Sequence, residues 1–379
     1  MSDALPPDHP QPGTTRSPVA ASDSEAYLRH LVTMAVESRV SDLHLKAGLP
    51  PYWRHLGELD PIPDQPVLVP QDVAGVAAVL MSERHTVQFN ERQQVDLAYG
   101  VTGIGRLRAN IYRQRGSVAM ALRVIPTEIP SAADLALPAA IELFSKTKRG
   151  MVLITGATGS GKSTTLAALI EIINKRDRRH VVTIEDPIEY LFKDKKSVVN
   201  QREVGIDTSG FGDALRAALR QDPDVIFIGE LRDAETITTA VRASETGHLV
   251  ISTLHAPNCY DAITRLLSYF PPQEQDTQRK AIAANLRGIV SQRLLPRADG
   301  SGRVAAFEVM VVTPTIADMI EDPQRQSDIY EVIKSGKQHA MVSFDDYLYD
   351  LVESGQISRD TALANASNVT DLRLRFQGF

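Results

Sequence analysis

The sequence predicts an α/β protein in which a small α+β domain precedes a larger domain built on a parallel sheet. Four nearly continuous apolar runs are typical of parallel strands buried on both faces: "MVLIT", "HVVTIE", "VIFIGE" and "HLVISTLH". The first of them runs directly into a glycine-rich loop and an amphipathic helix, the order expected of a phosphate-binding loop. The first third of the chain instead mixes short strand patterns with helical ones, which favours an α+β arrangement.

Length and composition narrow the class of protein. A chain of 379 residues with 43% hydrophobic content is long enough for about two or three domains. Its one cysteine, Cys259, excludes a disulfide framework and a zinc site of several thiolates, which fits a reducing compartment such as the cytoplasm. No apolar run reaches the roughly 20 residues of a membrane helix, so we expect contact with a membrane only through partners.

Four regions follow one another along the chain. Residues 1–22 are Pro-rich without hydrophobic periodicity, which predicts a disordered tail. We expect the α+β domain over residues 23–126 and a proline-marked linker over 127–138. Residues 139–379 then form the phosphate-loop domain with a helical C-terminal extension.

The α+β domain is expected to begin with a helix, because Ser22 and Glu25 match a capping box ahead of apolar residues at helical spacing. Strand patterns follow in "SDLHLKAG", "YWRHLGELDPI" and "VDLAYGV", with one helical pattern, "QDVAGVAAVLM", between them. The last segment, "GRLRANIYRQRGSVAMALRVIP", is typical of a β-hairpin.

The glycine-rich loop fits the pattern G-x-x-x-x-G-K-[ST]. In such a loop backbone N–H groups surround phosphates, the lysine reaches the β and γ oxygens, and the next hydroxyl ligates Mg²⁺. A helix that starts at the loop points its positive end at the anion. The sequence therefore predicts ATP or GTP binding, with Ser163 on the metal. The predicted nucleotide-binding residues of the loop are Gly156, Thr158, Gly159, Ser160, Gly161, Lys162, Ser163 and Thr164.

Polar residues that end the apolar strands are the candidates for chemistry, since ligands of open α/β sheets lie at the carboxyl ends of the strands. Glu230 ends "VIFIGE" and is the candidate base for the attacking water, with Gly229 at the position where such strands usually carry Asp. The alternative is a carboxylate that caps a helix or forms a salt bridge.

The strand "HVVTIE" leads into "TIEDPIEY", which supplies Glu185, Asp186 and Glu189. These carboxylates either hold the water shell of the metal or cap the turn before the proline. His248 and His255 flank "HLVISTLH", and a histidine at the carboxyl end of a strand can hydrogen-bond a γ-phosphate and respond to its loss. His255 is the better placed of the two.

Taken in order, these segments resemble the Walker A, Asp box, Walker B and His box of the type II and type IV secretion ATPases, and within them the PilT/PilU pilus-retraction group. The four segments are "GATGSGKST", "TIEDPIEY", "DVIFIGELRD" and "TGHLVISTLHAPN". The N-terminal "SDLHLKAGLPPYWRHLGEL" matches that group too, so the resemblance runs from about Ser24 to the C-terminus.

The resemblance implies a PAS-like N-terminal domain, a RecA-like ATPase domain and a homo-hexameric ring. Its ATP hydrolysis would act on the inner-membrane platform protein of a pilus machine, from the cytoplasmic face of that membrane. By position, the catalytic glutamate of the family falls on Glu230, its Asp-box acids on Glu185 and Glu189, and its box histidines on His248 and His255.

Retraction is favoured over assembly, because assembly ATPases of the PilB/GspE type usually carry a four-cysteine zinc module and extra N-terminal domains that this sequence lacks. PilT proteins carry a C-terminal "AIRNL", where this chain has "TIADMI" over Thr315–Ile320, with Ala317 in place of the arginine. That departure and the tail after it resemble PilU, which assists a paralogous retraction ATPase. Both the PilT-like and the PilU-like alternatives stay open.

A RecA-like nucleic-acid motor is the rival from another class. A net charge of −6 and an aromatic content of 6% argue against a strand-binding channel, so no nucleic-acid partner is expected. A nucleotide-gated scaffold without turnover is a third alternative, and the presence of Glu230 weakens it.

The predicted hairpin carries arginines on its polar face. Strand periodicity places Arg106 and Arg108 on one face of the first arm and Arg123 beside two alanines on the polar face of the second. They either only solvate the sheet or, in a ring like that of the family, approach the nucleotide of an adjacent ATPase domain. In the second case Arg106 and Arg123 would neutralise charge in the transition state.

Overall fold

The computed structural model describes residues 23–38, 40–55, 58–101, 103–125 and 128–378. The predicted tail over residues 1–22, and with it Ser22 of the capping box, lies outside these ranges. The chain divides into two compact units, Met1–Thr127 and Glu128–Phe379. No helix in the described ranges is long and apolar enough to cross a membrane.

Within the described residues, the first unit contains a six-stranded antiparallel sheet and three α-helices. Its helices are α1 (Ser24–Glu37), α2 (Pro70–Leu80) and α3 (Glu83–Arg92), and its strands are β1 (Asp42–Lys46), β2 (Tyr52–His55), β3 (Glu58–Pro61), β4 (Gln94–Val101), β5 (Gly105–Gln114) and β6 (Ser117–Ile125).

The strands of this sheet lie in the order β3-β2-β1-β6-β5-β4. Alternate residues of β5 and β6, such as Leu107 and Leu122, are fully buried and pack with the apolar stripes of α1 and α2. The predicted hairpin is β5–β6, and the helical pattern "QDVAGVAAVLM" is α2. Helix α3 is absent from the sequence prediction because Phe89 is its only buried residue, so it has no apolar stripe to detect.

The second unit contains a seven-stranded sheet and eleven α-helices within the described residues. The helices are α4 (Ala139–Ser145), α5 (Lys162–Arg176), α6 (Phe211–Ala218), α7 (Ala234–Glu245), α8 (Cys259–Ser268), α9 (Pro272–Asn285), α10 (Pro314–Glu321), α11 (Ile329–Ser335), α12 (Phe344–Glu353), α13 (Arg359–Asn365) and α14 (Val369–Phe376). The strands are β7 (Gly150–Thr155), β8 (His180–Glu185), β9 (Val198–Glu203), β10 (Val225–Ile228), β11 (Leu249–Leu254), β12 (Leu286–Pro296) and β13 (Arg303–Val311).

The strand order is β13-β12-β7-β11-β10-β8-β9, parallel throughout except for the antiparallel β12–β13 pair. The four predicted apolar runs are β7, β8, β10 and β11, and they are buried almost end to end between helices. Because these strands are parallel, their carboxyl ends meet along one edge of the sheet. The prediction of an α/β fold with a parallel sheet is confirmed.

The predicted C-terminal helical extension forms α12, α13 and α14. Phe344 and Leu348 of α12 are fully buried against Val304 and Ala306 of β13. Arg293 of β12 lies over the ring of Phe344, 3.9 Å from its centre. The extension therefore packs on the sheet edge that is furthest from β8 and β9.

Candidate active site

The phosphate loop lies between the end of β7 and the start of α5. Gly156 has φ +148°, and a Cβ there would lie 2.5 Å from the carbonyl oxygen of Gln292 and from Ser160 Oγ. Gly161, the residue before the helix, has φ +90°. Both positions require glycine, which leaves the backbone free to surround an anion. The apolar stripe predicted behind the loop is buried: Leu166, Leu169, Ile170 and Ile173.

Lys162 folds over this loop. Its Nζ donates hydrogen bonds to the carbonyl oxygens of Gly156, at 3.0 Å, and Ala157, at 2.8 Å. Burial lowers the pKa of the ammonium group, while the negative charges of Glu230 and Glu189 oppose that shift. The lysine is thus held at the centre of the loop, in the field of both carboxylates.

Gln292 on β12 supports the loop from below and was not found from the sequence. Its Nε2 donates to the carbonyl oxygen of Ser160 at 2.5 Å, and its side chain is almost fully buried. Gln292 Oε1 and Ser160 Oγ are buried atoms without a hydrogen-bond partner in the described part of the chain. No local pattern reveals such a residue, because it reaches the loop from a strand about 130 positions further along the chain.

Glu230 lies at the carboxyl end of β10, beside the lysine. Arg232 Nη2 forms an ion pair with Glu230 Oε1, and His255 Nε2 lies 3.7 Å from Glu230 Oε2. Arg232 Nη1 is 4.0 Å from Asp186, so the guanidinium links two of the carboxylates. The hydrogen bond to Glu230 raises the pKa of Arg232 further, against a small effect of burial. Arg232 was not among the predicted residues, although it stands two positions after Glu230.

The Asp-box residues line the same cavity. Glu185 is buried at the end of β8, where its Oε1 accepts hydrogen bonds from Thr183 Oγ1 at 2.6 Å and Gln201 Nε2 at 3.0 Å. Burial raises the pKa of Glu185 to about 7, and these hydrogen bonds only partly offset it. Glu189 is exposed in the same cavity. The two predicted acids therefore line one cavity, with Glu185 buried and Glu189 exposed.

These groups surround one cavity of about 620 Å³. Loop residues, Asp-box acids, Glu230, Arg232 and His255 all contribute to its wall. A volume of this size suits a nucleotide, and both cationic groups and carboxylates line the cavity. The predicted loop residues on the wall are Thr158, Gly159, Gly161, Lys162, Ser163 and Thr164.

Residues 136–342 match the family model described as type II/IV secretion system protein. The chain belongs to this family. It is 41% identical over 347 residues to the type IV pilus ATPase PilU of Pseudomonas aeruginosa, covering 91% of this chain and 90% of that protein. It is 40% identical over 339 residues to the type IV pilus retraction ATPase PilT of the same organism, covering 89% of this chain and 98% of that one.

Among solved structures of this family, the pilus retraction motor PilT with bound ADP matches at a TM-score of 0.85. It shares 45% sequence identity, and the match covers 92% of this chain and 99% of that one. The predicted arrangement of an N-terminal domain followed by a RecA-like P-loop ATPase domain is confirmed by this likeness. So is the predicted membership of the PilT/PilU group of secretion ATPases.

His248 is not brought to the cavity of its own chain, which differs from the sequence prediction. It precedes the first residue of β11, and its Nδ1 lies 2.8 Å from the carbonyl oxygen of Ala243. The phosphate loop is at the other end of the parallel sheet, about 20 Å away along a six-residue strand. His255, which follows the same strand, does line the cavity.

The hairpin arginines belong to the first unit. Arg123 on β6 is exposed, and its Nε donates to Asp42 Oδ1 at 2.9 Å across the sheet. Arg108 stands opposite Arg123 in the register of β5 and β6, whereas Arg106 is opposite Ile125. The cavity described above is lined by residues of the second unit. A role for Arg106 and Arg123 in catalysis stays a prediction.

Replacing Glu185 by Gln is expected to stabilise the protein in alkaline solution. The folded-state pKa of about 7 lies above the ordinary 4.5, so the neutral carboxyl stabilises the fold fully below pH 4.5 and this stabilisation is lost as the pH rises through 7. The amide keeps an acceptor for Thr183 without the charge.

Urea denaturation of both proteins should therefore show the variant gaining about 2 kcal/mol on the wild type between pH 5 and pH 8.5. The exposed Glu189→Gln serves as the control and should gain little. An equal gain in both variants would show that the burial of Glu185 is not the cause.

Proposed function

We propose that this chain is an ATP-hydrolysing motor that assembles as a homo-hexamer and drives the retraction of type IV pili. The observation that supports it best is that the phosphate-loop lysine shares a cavity with a carboxylate whose position is fixed by neighbouring side chains. Lys162 and Glu230 share one cavity, and Glu230 is oriented by Arg232 and His255. The relatives named above correspond to this chain over nearly their whole length and are called pilus ATPases.

In the proposed reaction each residue has a distinct task. The loop backbone and Lys162 bind the β- and γ-phosphates, which places the γ-phosphoryl group opposite Glu230. Glu230 orients the attacking water and accepts its proton, and the Arg232 guanidinium holds the carboxylate in place. His255 reaches the position of the γ-phosphate from the end of β11. The complete set of contacts forms with ATP and not with ADP, because ADP lacks the γ-phosphate.

The cavity also suits Mg²⁺. Its possible ligands are oxygen atoms, which Mg²⁺ prefers: the hydroxyl of Ser163 and the carboxylates of Asp186 and Glu189 line the same cavity as Lys162. We propose that Ser163 is the direct ligand, with the acids on its water shell. When bound, the ion would neutralise charge on the phosphates.

The proposal is tested by deleting the gene in its host and imaging the cells. Loss of a retraction motor should leave excess surface pili together with lost twitching motility. A loss of all pili would instead identify an assembly ATPase of the PilB/GspE type and overturn the proposal. A Lys162→Ala allele expressed at the native level is the control that separates loss of turnover from loss of the protein.

We further propose that the ring acts at the cytoplasmic face of the inner membrane on the pilus platform protein, and that it assists a paralogous retraction ATPase. The segment "TIADMI" lies in α10, where Ile316 and Ile320 are buried while Ala317 is partly exposed. The surface that carries an arginine in PilT therefore carries a methyl group here. Retraction restored by this chain alone, in cells that lack the paralogue, would contradict the assisting role.

His255→Ala is expected to bind ATP nearly normally but to respond alike to ATP and ADP. Only a contact that differs between two states can shift their equilibrium, and in this proposal the one phosphate that His255 contacts is the γ-phosphate, which ADP lacks. Limited proteolysis with each nucleotide should show the wild type protected differently by ATP and ADP, and the variant protected equally. His248→Ala, at the other end of β11, is the control. A full difference in the His255 variant would rule out this role.

A further inference from the structure

One end of the second unit carries a concentration of positive charge although the whole chain has a net charge of −6. Three segments contribute to it: the turn between α4 and β7, the end of α5 with the residues after it, and the loop that precedes β9. Their exposed basic side chains are Lys146, Lys148, Arg149, Lys175, Arg178, Lys193, Lys195 and Lys196. We call this set the basic end face.

Hydrogen bonds bind the three segments together. Arg176 donates to the hydroxyl of Ser145 at 2.8 Å, and Arg179 donates to the carbonyl oxygen of Thr147 at 3.0 Å, which joins the first segment to the second. The side-chain amide of Asn174 donates to the carbonyl oxygen of Lys193 at 2.8 Å, which joins the second to the third. The basic end face is therefore one fixed surface at the amino ends of the strands, opposite the nucleotide cavity.

Much of this charge is not neutralised. Lys146 pairs with Glu142, and Lys175 and Lys195 pair with Glu171. The other five form no ion pair within the described ranges of the chain: Lys148, Arg149, Arg178, Lys193 and Lys196.

Neighbouring residues extend the positive charge of the basic end face on one side and end it on another. Arg149 lies near Arg287, whose pKa is lowered first by burial and then by that like charge. The face ends at β10, where Asp222 and Asp224 are exposed. A surface with this excess of like charge attracts an anionic partner.

We propose that the basic end face binds the surface of an anionic lipid bilayer directly, with phospholipid phosphate groups as its ligands. Two aliphatic side chains are exposed among the cations: Leu143 at 45% and Val198 at 53%. Cations with interspersed aliphatic groups suit a headgroup layer, where the cations contact phosphates and the aliphatic groups enter the boundary with the acyl chains.

Nucleic acid fits this surface less well. Phe144 is buried and Phe192 is partly buried, so neither aromatic residue of these segments is exposed to stack on bases. The inference also differs from the expectation that a membrane is met only through partners. It rests on the charge and the exposed aliphatic side chains of this end and not on the proposed function.

The test uses the full chain and sedimentation with vesicles of phosphatidylcholine that contain about 30% phosphatidylglycerol. Wild-type protein should bind these vesicles at least about tenfold more tightly than pure phosphatidylcholine vesicles, and about 0.5 M NaCl should abolish the difference. The combined variant Lys148→Glu, Arg149→Glu, Arg178→Glu and Lys193→Glu should bind about 100-fold more weakly.

The matched control reverses the same number of exposed lysines and arginines elsewhere on the unit: Lys280→Glu, Arg325→Glu, Lys337→Glu and Arg373→Glu. It should bind vesicles within about threefold of the wild type. ATP turnover without lipid should be unchanged in both variants, which shows that they fold.

Equal vesicle binding by the two variants would overturn the proposal. So would tight binding of duplex DNA without binding of vesicles, which would assign the face to nucleic acid. A change of assembly mass confined to the first variant would assign the face to contacts between copies of the chain, and would overturn the proposal as well.

Discussion

Glu230→Gln is expected to lower ATP turnover by about 10²–10⁴-fold while ATP binding is retained. The amide has nearly the shape of the carboxylate, so the cavity and the contacts of Lys162 with the loop should persist. It cannot accept the proton of the attacking water. The measurement is steady-state ATPase activity alongside equilibrium binding of a fluorescent ATP analogue.

Lys162→Ala is the companion variant, and for it we expect ATP binding to be lost together with turnover. In the proposed reaction Lys162 binds the phosphates before the chemical step, so its removal should abolish nucleotide binding as well as turnover. Glu235→Gln is a matched control for charge, since Glu235 is exposed on α7 and pairs with Arg216. Equal loss of ATP affinity in Glu230→Gln and Lys162→Ala would show that Glu230 is misassigned.

The observed ion pair between Glu230 and Arg232 revives the alternative that this carboxylate is structural. Arg232→Lys distinguishes a structural role of Glu230 from a catalytic one. A structural pair on a side chain that is 58% exposed contributes little to stability, so the lysine variant should melt within a few degrees of the wild type. If Glu230 is the base, turnover should fall much further than stability, because lysine cannot hold the carboxylate with a planar fork.

The elements that sequence reasoning found are those with strong local signals. Apolar runs predicted β7, β8, β10 and β11, because strands buried on both faces have no polar alternation. Strand β9, at the sheet edge, consists of two valines followed by four polar residues, and α3 is polar almost all round. The local sequence does not predict the edge strand or the polar helix, because tertiary contacts rather than hydrophobic periodicity determine their structure.

The residues of the site likewise divide into those with a local sequence signal and those without one. Glycines and Lys162 follow from one contiguous motif, whereas Gln292 supports the loop through folding of a distant strand. The sequence favours His255, which follows the strand, over His248, which precedes it. The direction of β11 in the parallel sheet accordingly brings His255 to the carboxyl edge.

Arg123→Ala is expected to lower ATP turnover by about 10³–10⁵-fold without abolishing ATP binding, if the proposed hexamer places β6 of one chain at the nucleotide of another. The side chain is 65% exposed, and its one ion pair among the described residues is with Asp42, so it is available to a neighbouring molecule. Loss of an exposed pair costs about 0–1 kcal/mol of stability. A collapse of turnover with a nearly unchanged melting temperature would therefore separate a catalytic role from a structural one. Arg115→Ala, an exposed arginine at the turn of the same hairpin, is the control.

Mixed rings test whether Arg123 acts on a neighbouring chain. In rings assembled from equal amounts of Arg123→Ala and Glu230→Gln chains, about a quarter of the interfaces bring an intact Arg123 to a neighbour with an intact Glu230. Those interfaces should turn over ATP although neither parent ring does. If Arg123 instead served the site of its own chain, no chain in the mixture would contain both groups. Mixed rings of confirmed composition that stay as inactive as their parents would then show that the arginine does not complete a site across an interface.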